Sequence, residues 1–137
     1  MSQQTLAQIP VLLVTNPGRI RDGLRALLRT IPEIGTIYQA TDGSSAAQII
    51  TKNHPVLVLW ESKLFENDMT SISNLIKTMP PETRCILLID NLRRQPMAEL
   101  TGADTVLLSG FSAWDFLVTV EKLLPQKTTC GDDLAKG

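Results

Sequence analysis

The feature that most constrains this chain is a set of four nearly uninterrupted apolar runs: "PVLLVT" (10–15), "PVLVLWE" (55–61), "RCILLID" (84–90) and "DTVLLS" (104–109). A strand wetted on one face alternates apolar and polar residues. A strand covered on both faces, as in a parallel sheet, does not. A fifth run, "IGTIYQA" (34–40), completes the set. Between the runs, apolar residues recur at helical spacing. Ile20, Leu24, Leu27, Leu28 and Ile31 fall on one face of 18–31, and Met69, Ile72, Leu75, Ile76 and Met79 on one face of 68–79. Ala46, Ala47, Ile49 and Ile50 give 44–53 a small-residue face, and Phe116, Leu117, Val120, Leu123 and Leu124 make the last helix amphipathic.

Local signals agree with these borders. Ser112 and Asp115 form a capping-box candidate. Asp42-Gly43 and Asn67-Asp68 mark turns before helices, and Pro125 ends the last one. In 91–101, Pro96 suits a helix that starts there better than one that runs through. The order βαβαβαβαβα predicts an α/β fold: a five-stranded parallel sheet with right-handed crossovers and helices on both faces. The 137 residues suit one domain, expected over 9–125, with a disordered N-terminus at 1–8 and a flexible C-terminal tail at 126–137.

Charge and cysteine usage narrow the function classes. Net charge is −1, and no basic excess or stripe is read, which argues against direct nucleic-acid binding. The start "MSQQTLAQ" lacks the basic and apolar regions of a signal peptide, and no apolar run reaches the ~18 residues of a membrane span. A cytoplasmic protein with no membrane partner is expected. Cys85, inside "CILLI", reads as a small core residue; Cys130 lies in the polar tail, and neither has a metal-site neighbour. A nucleophile–base pair, a glycine-rich loop and a metal cluster are all missing, so an enzyme is not expected.

In sheets of this kind, ligands and chemistry sit at the carboxyl ends of the strands. Those ends are Thr15-Asn16, Glu61, Ile89-Asp90 and Ser109-Gly110. The stretches "RIRDGLRALLRTIPEIGTIYQATDGSSAAQII" (19–50), "NHPVLVLWESKLFENDM" (53–69) and "GADTVLLSG" (102–110) resemble bacterial response-regulator receiver domains, the branch that usually precedes a helix-turn-helix domain. The resemblance covers roughly residues 9–124 and implies a flavodoxin-like three-layer sandwich. It implies acids ending strand one, a phosphorylated aspartate ending strand three, a hydroxyl ending strand four and a lysine ending strand five. By position these become Thr15 and Asn16, Glu61, Ile89 (or Asp90, one register later) and Ser109. The switch aromatic becomes Val106.

The consequences are chemical. Magnesium wants carboxylate oxygens in near-octahedral array, and here only Glu61, alone or with Asp90, supplies them. No cofactor is expected, and Mg²⁺ binding is expected to be weak or absent. Glu61 is one methylene longer than aspartate, moving its carboxylate by roughly 1.5 Å, and a misplacement of about 1 Å can cost ~10²-fold in rate. Glu61 is then a standing mimic of the phosphorylated state, a weak phosphoacceptor, or a relic bonded to neighbours such as Thr15, Asn16 or Ser109. Trp60 reads as core, and as a neighbour able to sense that pocket. On the last helix, Trp114 and Val118 are spaced i, i+4 beside the core stripe. With Phe111 they form a candidate interface; alternatively, Trp114 folds over the core edge and covers Phe111.

The expectation is an atypical receiver in two-component signalling, a pseudo-receiver acting as a phosphorylation-independent interaction or dimerisation module. Its partner would be a histidine kinase, a regulator or an effector domain, or a second copy docked through the last helix. The alternative is the phosphorelay receiver half of a transcription regulator whose DNA-binding half is absent from this chain.

Overall fold

The computed structural model describes residues 8–65 and 69–125. The expectations for 1–7, for the Asn67-Asp68 turn and for the tail with Cys130 lie outside them. Five strands are present: β1 (Ile9–Val14), β2 (Ile34–Ala40), β3 (Leu57–Glu61), β4 (Arg84–Ile89) and β5 (Thr105–Leu108). They form one sheet in the order β2-β1-β3-β4-β5, and every neighbouring pair is parallel. This is the flavodoxin-like order, with the switch between β1 and β3.

The helices are α1 (Arg19–Leu28), α2 (Gly43–Asn53), α3 (Met69–Lys77), α4 (Gln95–Glu99) and α5 (Ala113–Leu123). Alternate strand residues face opposite layers. Val11, Leu13, Leu57, Leu59, Ile86 and Leu88 pack with Leu24 and Leu28 of α1 and Phe116 and Val120 of α5. Leu12, Val14, Val58, Trp60, Leu87 and Ile89 pack with α2, α3 and α4. Each fully buried Leu or Ile is worth ~1.5–3 kcal/mol of transfer free energy, so the apolar runs make both faces of the sheet self-sealing.

Helix ends follow their side chains. Asp42 Oδ1 accepts from the Ser45 N–H at 2.7 Å and caps α2, and Ser112 Oγ accepts from the Asp115 N–H at 3.0 Å and caps α5. The reciprocal bond expected from Asp115 does not form among the described residues. α2 ends at His54 in the left-handed conformation (φ 47). α1 stops earlier than its apolar spacing suggested: the N–H groups of Thr30 and Ile31 bond back three residues, tightening the chain before Pro32. Ile31 is still buried in the same layer, but Ile20, expected on the core face, is 49% exposed. The segment 91–101 opens with a 3₁₀ turn (Leu92–Arg94) and then becomes the short α4, with Pro96 in its first turn. Cys85 is a free, buried thiol, and burial pushes its pKa well above the usual thiol range, with the Asp104 carboxylate adding to the shift.

Candidate functional site

The carboxyl ends of β3, β4 and β5 open onto a cleft of about 140 Å³. Glu61, Ile89, Asp90 and Ser109 all line it, so four of the positions singled out by sequence do meet. Glu61 is the last residue of β3 and is 7% exposed. Its Oε1 accepts from the backbone N–H of Asn16 at 3.1 Å. Of the donors weighed in the sequence, Asn16 therefore serves, but through its main chain. Glu61 makes no second bond among the described residues, and Oε2 is not among the buried unpartnered atoms, so it is open to the cleft.

Among the described residues at the ends of β1, β3, β4 and β5, only Glu61 and Asp90 carry carboxylates. Thr15 is fully buried, and its hydroxyl has no partner among the described residues. Asp90 is exposed and held by Arg94 at 3.0 Å. Ile89 is buried in the α2/α3/α4 layer. Ser109 is exposed just past the end of β5, where its N–H bonds the Ile89 carbonyl at 2.8 Å. Gly110 follows with φ 97, a left-handed conformation that lets the chain turn sharply into α5. Val106 is half-buried against the α2/α3/α4 layer. Among the described residues, no three His, Cys, Asp or Glu side chains gather as a metal site. One buried carboxylate, already bonded, does not make an octahedral oxygen shell.

Lys63, Ile20, Leu88 and Phe111 also line the cleft, and the sequence did not single them out for it. Lys63 stands in the 3₁₀ turn after β3 (Ser62–Phe65), and Ile20 comes from the first turn of α1. Two readings need correction. Trp60 is fully buried, but it packs in the α2/α3/α4 layer, whereas Glu61 follows it on the opposite face. Its ring does not line the cleft. There is also a basic row after all: Arg21, Arg25 and Arg29 stand four residues apart along α1, with Arg29 as its C-cap, and none forms an ion pair among the described residues.

A second surface lies along β5 and α5. Trp114 is 74% exposed and does not fold over Phe111. Phe111 is instead half-buried and stacked on Phe116, with ring centroids 5.5 Å apart. Trp114, half-buried Val118, Phe111 and Leu108 share one groove of about 520 Å³. The exposed large hydrophobics of the described residues are Ile20, Leu92, Met97, Leu100, Leu108 and Trp114. All but Ile20 fall on the 3₁₀ turn, α4 and its C-cap, β5 and α5, a concentration that scattered surface apolar residues do not show.

Neither a protein-family model nor a curated protein matches the sequence. Solved structures do match. The chain is similar to a LuxR-family two-component response regulator from Aurantimonas sp. SI85-9A1 (TM-score 0.73, 15% identity, 85% of each chain). It is also similar to the signal receiver domain of an HD domain-containing protein from Pseudomonas fluorescens Pf-5 (TM-score 0.71, 22% identity, 85% of this chain and 94% of that one). NtrX from Brucella abortus matches over 93% of this chain but only 28% of its own length (TM-score 0.71, 21% identity). No helix among the described residues is long and apolar enough to cross a membrane. The strand order, the layers and these likenesses agree: the chain has the fold of the response-regulator receiver domains.

Proposed function

We propose that this chain is an atypical receiver domain of two-component signalling that works without phosphorylation, as a protein–protein interaction or dimerisation module. The observation that carries the reading is the make-up of the cleft. At the end of β3 stands a glutamate bonded to the Asn16 N–H, and at the positions of the family's other functional side chains stand Thr15, Asn16, Ile89 and Ser109. Phosphoryl transfer to a carboxylate depends on positioning and on cations around the transferred group, and this donor set offers neither an octahedral metal shell nor a lysine at the end of β5. Mg²⁺ binding is weak or absent in this reading, and no other cofactor is required.

The exposed apolar residues on and beside α4, β5 and α5, with Trp114 and Leu108 sharing one groove, support the interaction role. Partners in this reading are a histidine kinase, a regulator or effector domain, or a second copy, and the reading calls for neither nucleic acid nor membrane, the net charge being −1 despite the arginine row on α1. The alternative, a receiver half of a transcription regulator in a phosphorelay, draws on the likeness to the longer NtrX. One titration separates the two. The backbone amide of Asn16 bonds Glu61 directly, so its NMR resonance reports the site. Magnesium with beryllofluoride leaves it unmoved in our reading; a saturable shift at sub-millimolar metal refutes that reading and favours the phosphorelay.

A further inference from the structure

We propose that the cleft at the ends of β3, β4 and β5 is a binding site for an alkylammonium group, with Glu61 as its anchor. Ile20, Leu88 and Phe111 give the cleft an apolar side next to its one buried carboxylate, and Lys63, Asp90 and Ser109 also line it. A buried carboxylate calls for a compensating charge or a full set of hydrogen bonds, and Glu61 has one bond, from Asn16. The other acid in the cleft, Asp90, is already matched by Arg94 at 3.0 Å. Lys63 lines the same cleft without forming an ion pair to Glu61 among the described residues.

The geometry chooses the cation. A guanidinium is held best by two carboxylate oxygens at once, and on Glu61 one of those two bonds would have to share Oε1 with the Asn16 N–H. An ammonium needs only one oxygen and acts as a compact point charge on a flexible stem. The stem would lie along the apolar side as lysine stems do on protein surfaces. The volume, about 140 Å³, equals that of four to five waters at ~30 Å³ each, which suits an arm of four carbons and one nitrogen. The ammonium comes either from a lysine side chain of a partner protein or from a free amine.

The inference rests on the reading that Glu61 no longer takes up phosphate, and its test is independent of the magnesium titration. n-Butylammonium and Nα-acetyl-lysine methylamide are titrated into the full chain while the Asn16 amide is followed by NMR, with Nα-acetyl-norleucine methylamide as the uncharged control. Saturable shifts are expected with both amines and none with the control. Glu61→Gln, which keeps an oxygen for Asn16, weakens binding by tenfold or more, and Lys63→Ala tightens it by removing a competing ammonium. Tighter binding of the lysine derivative identifies a protein-borne lysine as the source; tighter binding of butylammonium identifies a free amine. Absence of a saturable shift in both wild type and Lys63→Ala overturns the proposal, as does an unchanged affinity in Glu61→Gln. If magnesium and beryllofluoride bind, the functional reading fails whatever the amines do. If neither they nor the amines bind, only the ammonium site fails.

Discussion

Replacing Trp114 with glutamate should abolish self-association while leaving the fold intact. A tryptophan side chain buries up to roughly 250 Å², and 74% of Trp114 is exposed, leaving roughly 185 Å² for a partner to cover. At ~25 cal/mol per Å² that is at most about 4–5 kcal/mol per protomer. Docking costs reduce it, and about 2 kcal/mol is the level at which an interface residue counts as a hot spot. A two-fold symmetric contact uses the residue twice. The change therefore removes about 4 kcal/mol, roughly a thousandfold in the dimer dissociation constant. An exposed site that makes no special contact shifts monomer stability by only about 0.5 kcal/mol. The two readouts are sedimentation equilibrium across a dilution series and urea unfolding of the same samples. A dimer in wild type and a monomer of equal stability in Trp114→Glu is the expected result. A monomeric wild type, or a variant with the wild-type mass, refutes the argument that this surface binds a second copy.

Asp104 accepts from the Cys85 N–H at 2.8 Å and pairs with Arg84 at 3.4 Å. Asp104→Ala should cost about 1.5–3 kcal/mol, because a charge-assisted bond at the start of β4 is lost. Arg84→Ala should cost under about 1 kcal/mol, because that pair is largely solvated; equal costs in urea unfolding would contradict the larger weight given to the Cys85 N–H bond. His54 holds a left-handed conformation that costs a non-glycine residue ~1–2 kcal/mol. His54→Gly, after the added freedom of the unfolded chain, should stabilise by about 0.5–1 kcal/mol, and a loss of stability contradicts the strain. The Ser45 N–H bonding Asp42 holds that carboxyl below its ordinary pKa of 3.8. A depressed folded-state pKa gives stability that is present above 3.8 and lost as the pH falls through the folded value. In Asp42→Asn the cap persists without the titration, so melting temperature should fall less steeply with acid than in wild type; parallel pH profiles argue against the linkage.

Much of this molecule is legible in its residues. The apolar runs mark strands because burial on both faces leaves no room for alternation, and those runs became β1, β3, β4 and β5 within a residue or two. Ser112 and Asp42 cap as their chemistry suggests. The positions around Glu61 were legible because they follow from where strands end. Its true partner was less so, since any residue carries a backbone N–H and sequence does not say which one points at a carboxylate. Lys63 and Ile20 enter the cleft from a 3₁₀ turn and a helix start, where a shift of one residue changes what a side chain faces. Strand alternation already puts Trp60 and Glu61 on opposite faces, and the spacing of Arg21, Arg25 and Arg29 is visible without coordinates, although a net charge near zero hides it.

The two tryptophans divide the molecule optically. Trp60 is sealed in the α2/α3/α4 layer beside Cys85, and Trp114 stands 74% in water. An indole in an apolar interior emits at shorter wavelength than one in water and is shielded from dissolved quenchers. Native emission is thus a sum of two separable signals. Acrylamide or iodide would extinguish the red component first, and that component alone would turn blue when a partner covers α5. The blue component would hold until the sheet opens. Docking and unfolding can therefore be followed in one cuvette, without a label, as two colours of the same spectrum.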